Sequence, residues 1–322
     1  MFNINYEIEK SIEINKKLID VMDAVKDFSK WSNWSPWFCL EPKSTMSFSG
    51  EKGTVGHSQH WEGKYVGAGK IIITKITDTQ VDYDLIFEKP MKGICTVQFA
   101  LSAQKENLTK VNWKMQGDLP FFLFFCKKMI VENVGRDFDR GLKMLKEYLE
   151  KGQVLSKIEH LDRENIESFD YLGISITGEI SKIDEVMGKV IGQIIEETNK
   201  LNIPKDKEKF LFTLVKKWDY STNTFECICA KGYEFSSAFI DGKSKLPADT
   251  QIKSGTIPTH KSISVKHTGS YNHLANGWTA LMSRMKAEKI KGNSKIGCYE
   301  VYENSPHDTP EKDLVTKIYC AF

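Results

Sequence analysis

Cys298-Tyr299-Glu300-Val301-Tyr302, followed after a polar loop by Lys317-Ile318-Tyr319-Cys320-Ala321-Phe322, reads as two strands of a closing hairpin. Side chains alternate along a strand, so Cys298, Glu300 and Tyr302 share one face. That face places one carboxylate among aromatic and soft neighbours. A carboxylate there is costly to bury unless something positive satisfies it. The partner is either a ligand or a neighbouring side chain.

Upstream of this hairpin the second half of the chain repeats itself weakly. A strand over residues 171–180, a helix over 183–199 and strands over 209–218 and 224–231 form one copy. A strand over 262–268, a helix over 271–286 and strands over 296–302 and 314–322 form the other. Phe210 and Ile296 begin equivalent strands. Two such strand-helix-strand-strand units pair into one sheet with helices on one face, and the cleft between units is where small-molecule sites usually form.

The first half has a different order. Residues 2–14 alternate as a strand, and residues 18–28 read as a short helix with Val21, Ala24, Val25 and Phe28 inward. Strand-like runs follow over 54–61, 69–76, 81–87, 94–101 and 110–116, separated by turn signals such as Ser49-Gly50 and Thr77-Asp78. A helical pattern over 122–151 closes it, with Met129, Val134, Phe138, Leu142, Leu145 and Leu149 at helical spacing. The fold class is α+β: an antiparallel sheet curled around a long C-terminal helix, then the duplicated sheet. The domains are expected at 1–152 and 158–322, with residues 162–168 as a polar lead-in.

Composition narrows the function classes. At 322 residues the chain is comfortable for two cores, and a net charge of +2 is no signature of phosphate neutralisation. The N-terminus lacks the pattern of a signal peptide. The apolar run 119–126 is far short of the roughly 20 residues that span a bilayer. Seven scattered cysteines suggest a reduced, cytoplasmic protein. Cys227-x-Cys229 lies in a strand pattern and reads as packing rather than as a metal site. No cofactor motif, phosphate loop, nucleophile elbow or metal-ligand cluster stands out.

Two further clusters carry alternatives. Trp31, Trp34 and Trp37 recur every three residues and form either a lid packed on the sheet edge or an aromatic wall for an apolar ligand. Ser58, His60 and Glu62 share one strand face, opposite Trp61. His60 and Glu62 form either an acid–base pair in a pocket or a solvated outer pair, and the second is preferred.

The first half resembles the polyketide cyclase/dehydrase branch of the START-like (SRPBCC) superfamily. The resemblance rests on Val25-x-Asp27-Phe28-x-x-Trp31-x-x-Trp34-Ser35-Pro36-Trp37, Gly53-x-x-Gly56, Trp61-Glu62-Gly63, Val111-x-Trp113-x-Met115-x-Gly117 and Gly135-x-Asp137-Phe138-x-x-Gly141-Leu142-x-x-Leu145. It covers nearly all of residues 1–150 and implies a helix-grip fold with a deep hydrophobic cavity between sheet and helix. Trp34, Trp37 and Trp61 become candidate ligand contacts. Residues 119–125 become either the helix start beside the cavity mouth or ordinary core. Fold alone implies no activity.

The second half resembles the GyrI-like small-molecule-binding domain, found also as the effector module of multidrug-sensing and AraC-type transcription regulators. Val265-x-His267-x-Gly269-x-Tyr271-x-x-Leu274 and Cys298-Tyr299-Glu300-Val301-Tyr302-x-Asn304 carry that likeness. It implies that Glu300 contacts the ligand, with Tyr271, Trp278, Tyr302 and Tyr319 as aromatic walls. Relatives often have a second glutamate where this chain has Lys317. If the hairpin closes with residue 303 facing 314, Lys317 falls opposite Glu300 and neutralises it, which favours a neutral or anionic ligand.

The expectation is thus a two-domain binding protein for hydrophobic or aromatic molecules, a sensor or carrier without its own DNA-binding segment. The alternative is a hydrolase or cyclase with Glu300 as general base. Expected partners are a small molecule and either another protein or a second copy, with no direct nucleic-acid contact and no membrane span.

Overall fold

A computed structural model describes residues 3–201, 203–234 and 251–322. The chain forms two units. One comprises residues 1–158 with 271–287, and the other residues 159–270 with 288–322. Helical residues 274–287, sequence-wise part of the second repeat copy, thus pack with the first unit.

Unit 1 is built on seven antiparallel strands: β1 (Asn3–Ile14), β2 (Thr45–Ser49), β3 (Ser58–Gly63), β4 (Gly67–Ile76), β5 (Gln80–Lys89), β6 (Gly93–Lys105) and β7 (Leu108–Pro120). They run in the order β1-β7-β6-β5-β4-β3-β2. Helices α1 (Leu18–Lys26) and α2 (Phe28–Trp31) connect β1 to β2, and α3 (Lys127–Lys151) follows β7. The first strand is described from Asn3, so Phe2 lies outside the described residues. The run expected over 54–61 starts at Ser58, because residues 51–56 turn tightly. The short strand β2 was not expected.

The core of unit 1 is aromatic. Trp113 stacks on Phe138 of α3 with ring centroids 4.1 Å apart, and on Phe99 at 4.7 Å. Such pairs each contribute about 1 kcal/mol beyond the area they bury. Gly141 permits this approach, since a Cβ there would sit 2.7 Å from the Trp113 ring. Gly152, at φ +82°, ends α3 in the left-handed conformation that glycine adopts without strain. The deep cavity expected beneath the helix is filled at this level by rings.

Unit 2 is a nine-stranded sheet. Its strands are β8 (Ser156–His160), β9 (Glu164–Ile166), β10 (Phe169–Glu179), β11 (Glu208–Asp219), β12 (Thr224–Tyr233), β13 (Lys253–Ile257), β14 (His260–Gly269), β15 (Cys298–Tyr302) and β16 (Val315–Ala321). Helix α4 (Ile183–Asn199) belongs to this unit, whereas α5 (Leu274–Ala287) belongs to unit 1. The main strand order is β13-β10-β12-β11-β15-β16-β14-β8, with β9 pairing β14. The segment β10-β12-β11 is mirrored by β14-β16-β15. This palindrome is the expected duplication, with the seam at β11–β15.

Each face of this sheet has its own apolar cluster. Phe169, Phe212, Leu214, Tyr299, Val301 and Tyr319 pack together on one face. Leu172, Ile174, Cys227 and Cys229 pack on the other against Met187, Val190 and Ile194 of α4.

Candidate functional site

The hairpin register decides what surrounds Glu300. Strands β15 and β16 pair Cys298 with Cys320, Glu300 with Ile318, Val301 with Lys317 and Tyr302 with Thr316. Glu303 donates its N–H to the Val315 carbonyl at 3.0 Å, so residue 303 faces 315 rather than 314. The cause is local. The Asn304 side chain accepts from the Val315 N–H at 2.8 Å and donates to the Asp313 carbonyl at 2.9 Å, fixing the loop. A one-residue slip moves every side chain to the other face.

Two expectations change as a result. Lys317 lies on the face opposite Glu300 and pairs instead with Glu303 at 3.0 Å. It does not neutralise Glu300 across the strands. Tyr319 also points to the opposite face, where its ring stacks on Tyr299 at 5.2 Å. Tyr299 in turn lies 3.1 Å from His260 Nε2 through its hydroxyl.

On the Glu300 face, alternation holds as expected, and Tyr302 joins Glu300. Its phenol Oη lies 2.7 Å from Glu300 Oε2 and 2.9 Å from Thr213 Oγ1. A phenol has one proton, and the carboxylate is the stronger acceptor. Tyr302 therefore donates to Glu300 and accepts from Thr213. Burial, then the negative charge of Glu300, holds the Tyr302 phenol well above its ordinary range, so it stays a donor.

Thr213 lies directly opposite Glu300 across the seam, and Cys229 lies opposite Thr213 on β12. Cys229, Thr213 and Glu300 thus form a row across three strands, with Cys229 Sγ 3.3 Å from Met187 Sδ of α4. The hydrogen bond with Cys229, burial and nearby negative charge including Glu300 push the Cys227 thiol strongly upward. Glu300 is 8% exposed and Thr213 3%. Thr213 was missed from sequence. Its signal was a hydroxyl inside the apolar run Phe212-Thr213-Leu214-Val215.

The cysteines are not all thiols. Cys298 and Cys320, facing each other at the start of the hairpin, are joined as a disulfide. This corrects the reading of a wholly reduced chain. Strand pairing brings together two cysteines whose spacing of 22 gave no sign of it. Cys227 and Cys229 remain free and buried.

The other expected contacts lie in unit 1. Tyr271 immediately precedes α5, and Trp278 lies within it; both are half-buried. Nearby His273 Nε2 is 2.6 Å from Glu147 Oε2 of α3, and Asn276 accepts from Arg140 at 2.5 Å. Trp34 is fully buried, its ring 5.0 Å from Trp31 and 6.0 Å from Trp113. Trp37 is half-buried and donates from Nε1 to Asp137 at 3.2 Å. Trp61 packs edge-on to Phe87 at 6.4 Å. The tryptophans of the first half therefore make core contacts, as a packed lid would. His60 and Glu62 do not pair with each other. His60 lies 3.2 Å from Glu88 and Glu62 lies 2.6 Å from Lys89, on the solvated outer face.

A shallow surface groove of about 620 Å³ lies between β1, β7 and the start of α3. Tyr6, Gly117, Asp118, Lys127 and Val131 are among its lining residues. Among the described residues no group of three or more His, Cys, Asp or Glu side chains is placed to hold a metal. No described helix is long and apolar enough to cross a membrane.

Comparison with known proteins bears on both halves. Residues 163–322 match the family described as GyrI-like small molecule binding domain. Residues 6–150 match polyketide cyclase / dehydrase and lipid transport. No curated protein matches the chain. Among solved structures, a protein from Chromobacterium violaceum is similar at 14% identity over 45% of this chain and 96% of its own, with a TM-score of 0.35. A Staphylococcus aureus protein of unknown function is similar at 11% identity over 47% of this chain and 96% of its own, with a TM-score of 0.37. The EcmrR protein in a complex with DNA is similar at 16% identity over 63% of this chain and 72% of its own, at 0.40. At these scores none of the three bears on function. The two family matches do: the chain joins an SRPBCC-type polyketide cyclase and lipid-transport domain to a GyrI-like small-molecule-binding domain.

Proposed function

We propose that the chain is a sensor or carrier for hydrophobic or aromatic molecules, with the ligand of its second domain held through Glu300. The observation that supports this is the buried carboxylate at the β11–β15 seam, oriented by the Tyr302 phenol. We keep 1–152 and 158–322 as the domain boundaries. With Lys317 on the other face, the cross-strand charge that argued for a neutral or anionic ligand is gone. On this reading the carboxylate recognises an aromatic ligand through a cationic or strongly donating group, since opposite charge stabilises a partly desolvated carboxylate.

Titration with matched cationic, neutral and anionic aromatics, followed by tryptophan fluorescence and calorimetry, tests this reading. Wild type is expected to prefer the cation by about tenfold or more, as a charge-assisted contact allows. Glu300→Gln loses that preference while neutral ligands bind as before. Equal binding of all three by wild type would overturn the proposal.

The hydrolytic reading has a specific obstacle. The Tyr302 phenol already donates to Glu300 Oε2, a contact the carboxylate would have to keep while taking a proton from water. Turnover of small electrophiles that disappears in Glu300→Gln would reverse this order of preference. So would a rate that rises in Tyr302→Phe.

A further inference from the structure

Unit 1 carries an apolar surface that its core does not use. After β7 the chain reads Phe121-Phe122-Leu123-Phe124-Phe125-Cys126 and turns as a 3-10 segment. Its four phenylalanines are between 60% and 66% exposed. The same end of the sheet adds the β5–β6 hairpin, because Cys95 pairs with Gly117 near the end of β7. Met91 and Ile94 of that hairpin are 64% and 69% exposed. Most monomers leave only a few hundred Å² of contiguous apolar surface open, and a larger patch marks an interaction site.

The chemistry of this tip selects its partner. Its rings are all phenylalanine, with no hydroxyl or indole to place a hydrogen bond. Protein hot spots draw instead on Trp, Tyr and Arg. Lysines flank the rings: Lys92 lies between Met91 and Ile94, and Lys127 and Lys128 begin α3 immediately after the rings. The first turn of α3 carries no acidic residue. Lys127 also borders the shallow groove that Tyr6, Glu7, Asp118 and Val131 line, and Lys128 lies 3.8 Å from Glu132. Exposed apolar rings with Lys92, Lys127 and Lys128 beside them match the boundary of an anionic bilayer, where acyl chains take the rings and headgroup phosphates take the lysines.

We infer that this end of unit 1 docks on the surface of an anionic lipid bilayer. The inference is independent of Glu300, which lies in unit 2.

Co-sedimentation of the full chain with vesicles tests it. Phosphatidylcholine vesicles are compared with vesicles containing phosphatidylglycerol, at low and high salt. Wild type is expected to pellet with the anionic vesicles, less with the neutral ones, and less at high salt. Phe122→Ser/Phe125→Ser should weaken partitioning by about tenfold or more, from the apolar area lost. Lys127→Gln/Lys128→Gln should erase most of the anionic preference, a further loss of about tenfold. All four positions are on the surface, so circular dichroism of both variants should match wild type. Wild type left in the supernatant with both vesicle types would overturn the inference. So would a phenylalanine variant that pellets like wild type. A wild-type dimer that the phenylalanine variant dissociates, without vesicle binding, would assign the tip to a second copy instead.

Discussion

The two faces of the β15–β16 hairpin share a backbone and differ in everything else. One carries Tyr299, Val301, Lys317 and Tyr319. Its rings stack, Tyr299 reaches His260 and its lysine pairs with Glu303 at the rim. The other carries Cys298, Glu300 and Tyr302, with a buried carboxylate held by a phenol and a disulfide to Cys320. Five residues of one strand thus pack rings on one side and bury a hydrogen-bonded carboxylate on the other, the side we propose for recognition. The contrast teaches that a single step of register assigns each side chain to its task.

The contrast predicts where substitutions bite. Tyr299→Ala, on the packing face, removes a fully buried ring and should cost about 4 kcal/mol in urea unfolding. Glu300→Gln, on the recognition face, keeps an acceptor for Tyr302 and should cost about 1 kcal/mol or less. Comparable losses from the two would break the comparison.

The disulfide comes next. Cys298→Ser/Cys320→Ser should lower stability by about 3 kcal/mol, the value for a closed loop of this size. A reducing agent should lower the melting temperature of wild type and leave the double variant unmoved. A melting temperature of wild type insensitive to reductant would show that the bridge contributes nothing.

Alkaline pH acts on both faces by different routes. Tyr299 and Tyr319 are raised chiefly by burial, with neighbouring phenols and carboxylates adding to it. Tyr302 is raised by burial and then by Glu300. A raised folded value means that the stabilisation is complete below the ordinary phenol value of 10.0. It is lost as pH climbs from there, because the unfolded chain releases its protons first. Unfolding free energy should therefore fall above about pH 10, and phenolate absorbance of the folded chain should lag that of the unfolded chain. Tyr302→Phe should lessen the fall; an unchanged profile would remove Glu300 from the account.

The smallest effect belongs to Lys317. It is a partly exposed ion pair on the face away from Glu300, so Lys317→Met should change stability by about 0.5 kcal/mol at most. Ligand charge preference should stay as in wild type. A shift toward cations in this variant would place Lys317 back beside the carboxylate.

Much of this arrangement is legible in the sequence because it depends on periodicity. Alternation puts Glu300 and Tyr302 on one face, and helical spacing marks α3. The repeat foretells two units paired in one sheet, though not their palindromic strand order. The register of the last hairpin is not legible in that way. It turns on two hydrogen bonds of the Asn304 side chain, which no periodic pattern encodes. The Cys298–Cys320 bridge follows from that register and shares its obscurity. Residues 119–125 leave two readings open, the helix start or ordinary core, and the run leads directly into α3. Apolar composition argues for core, but a 3-10 segment at a sheet end has no interior to face. Met129 fits the helical spacing of α3 and is nevertheless 54% exposed, because it lies in the turn beside that segment.

The palindrome of unit 2 has one more consequence. Its two halves meet at β11 and β15, and facing positions on a symmetric seam are structurally equivalent. Their chemistry is not, since Glu300 faces Thr213. Two acids there would contest a proton. One acid and one hydroxyl break the symmetry instead and give the seam a direction. On the proposed reading, a molecule bound across it meets a charged end and a neutral end, so it has one way round to lie.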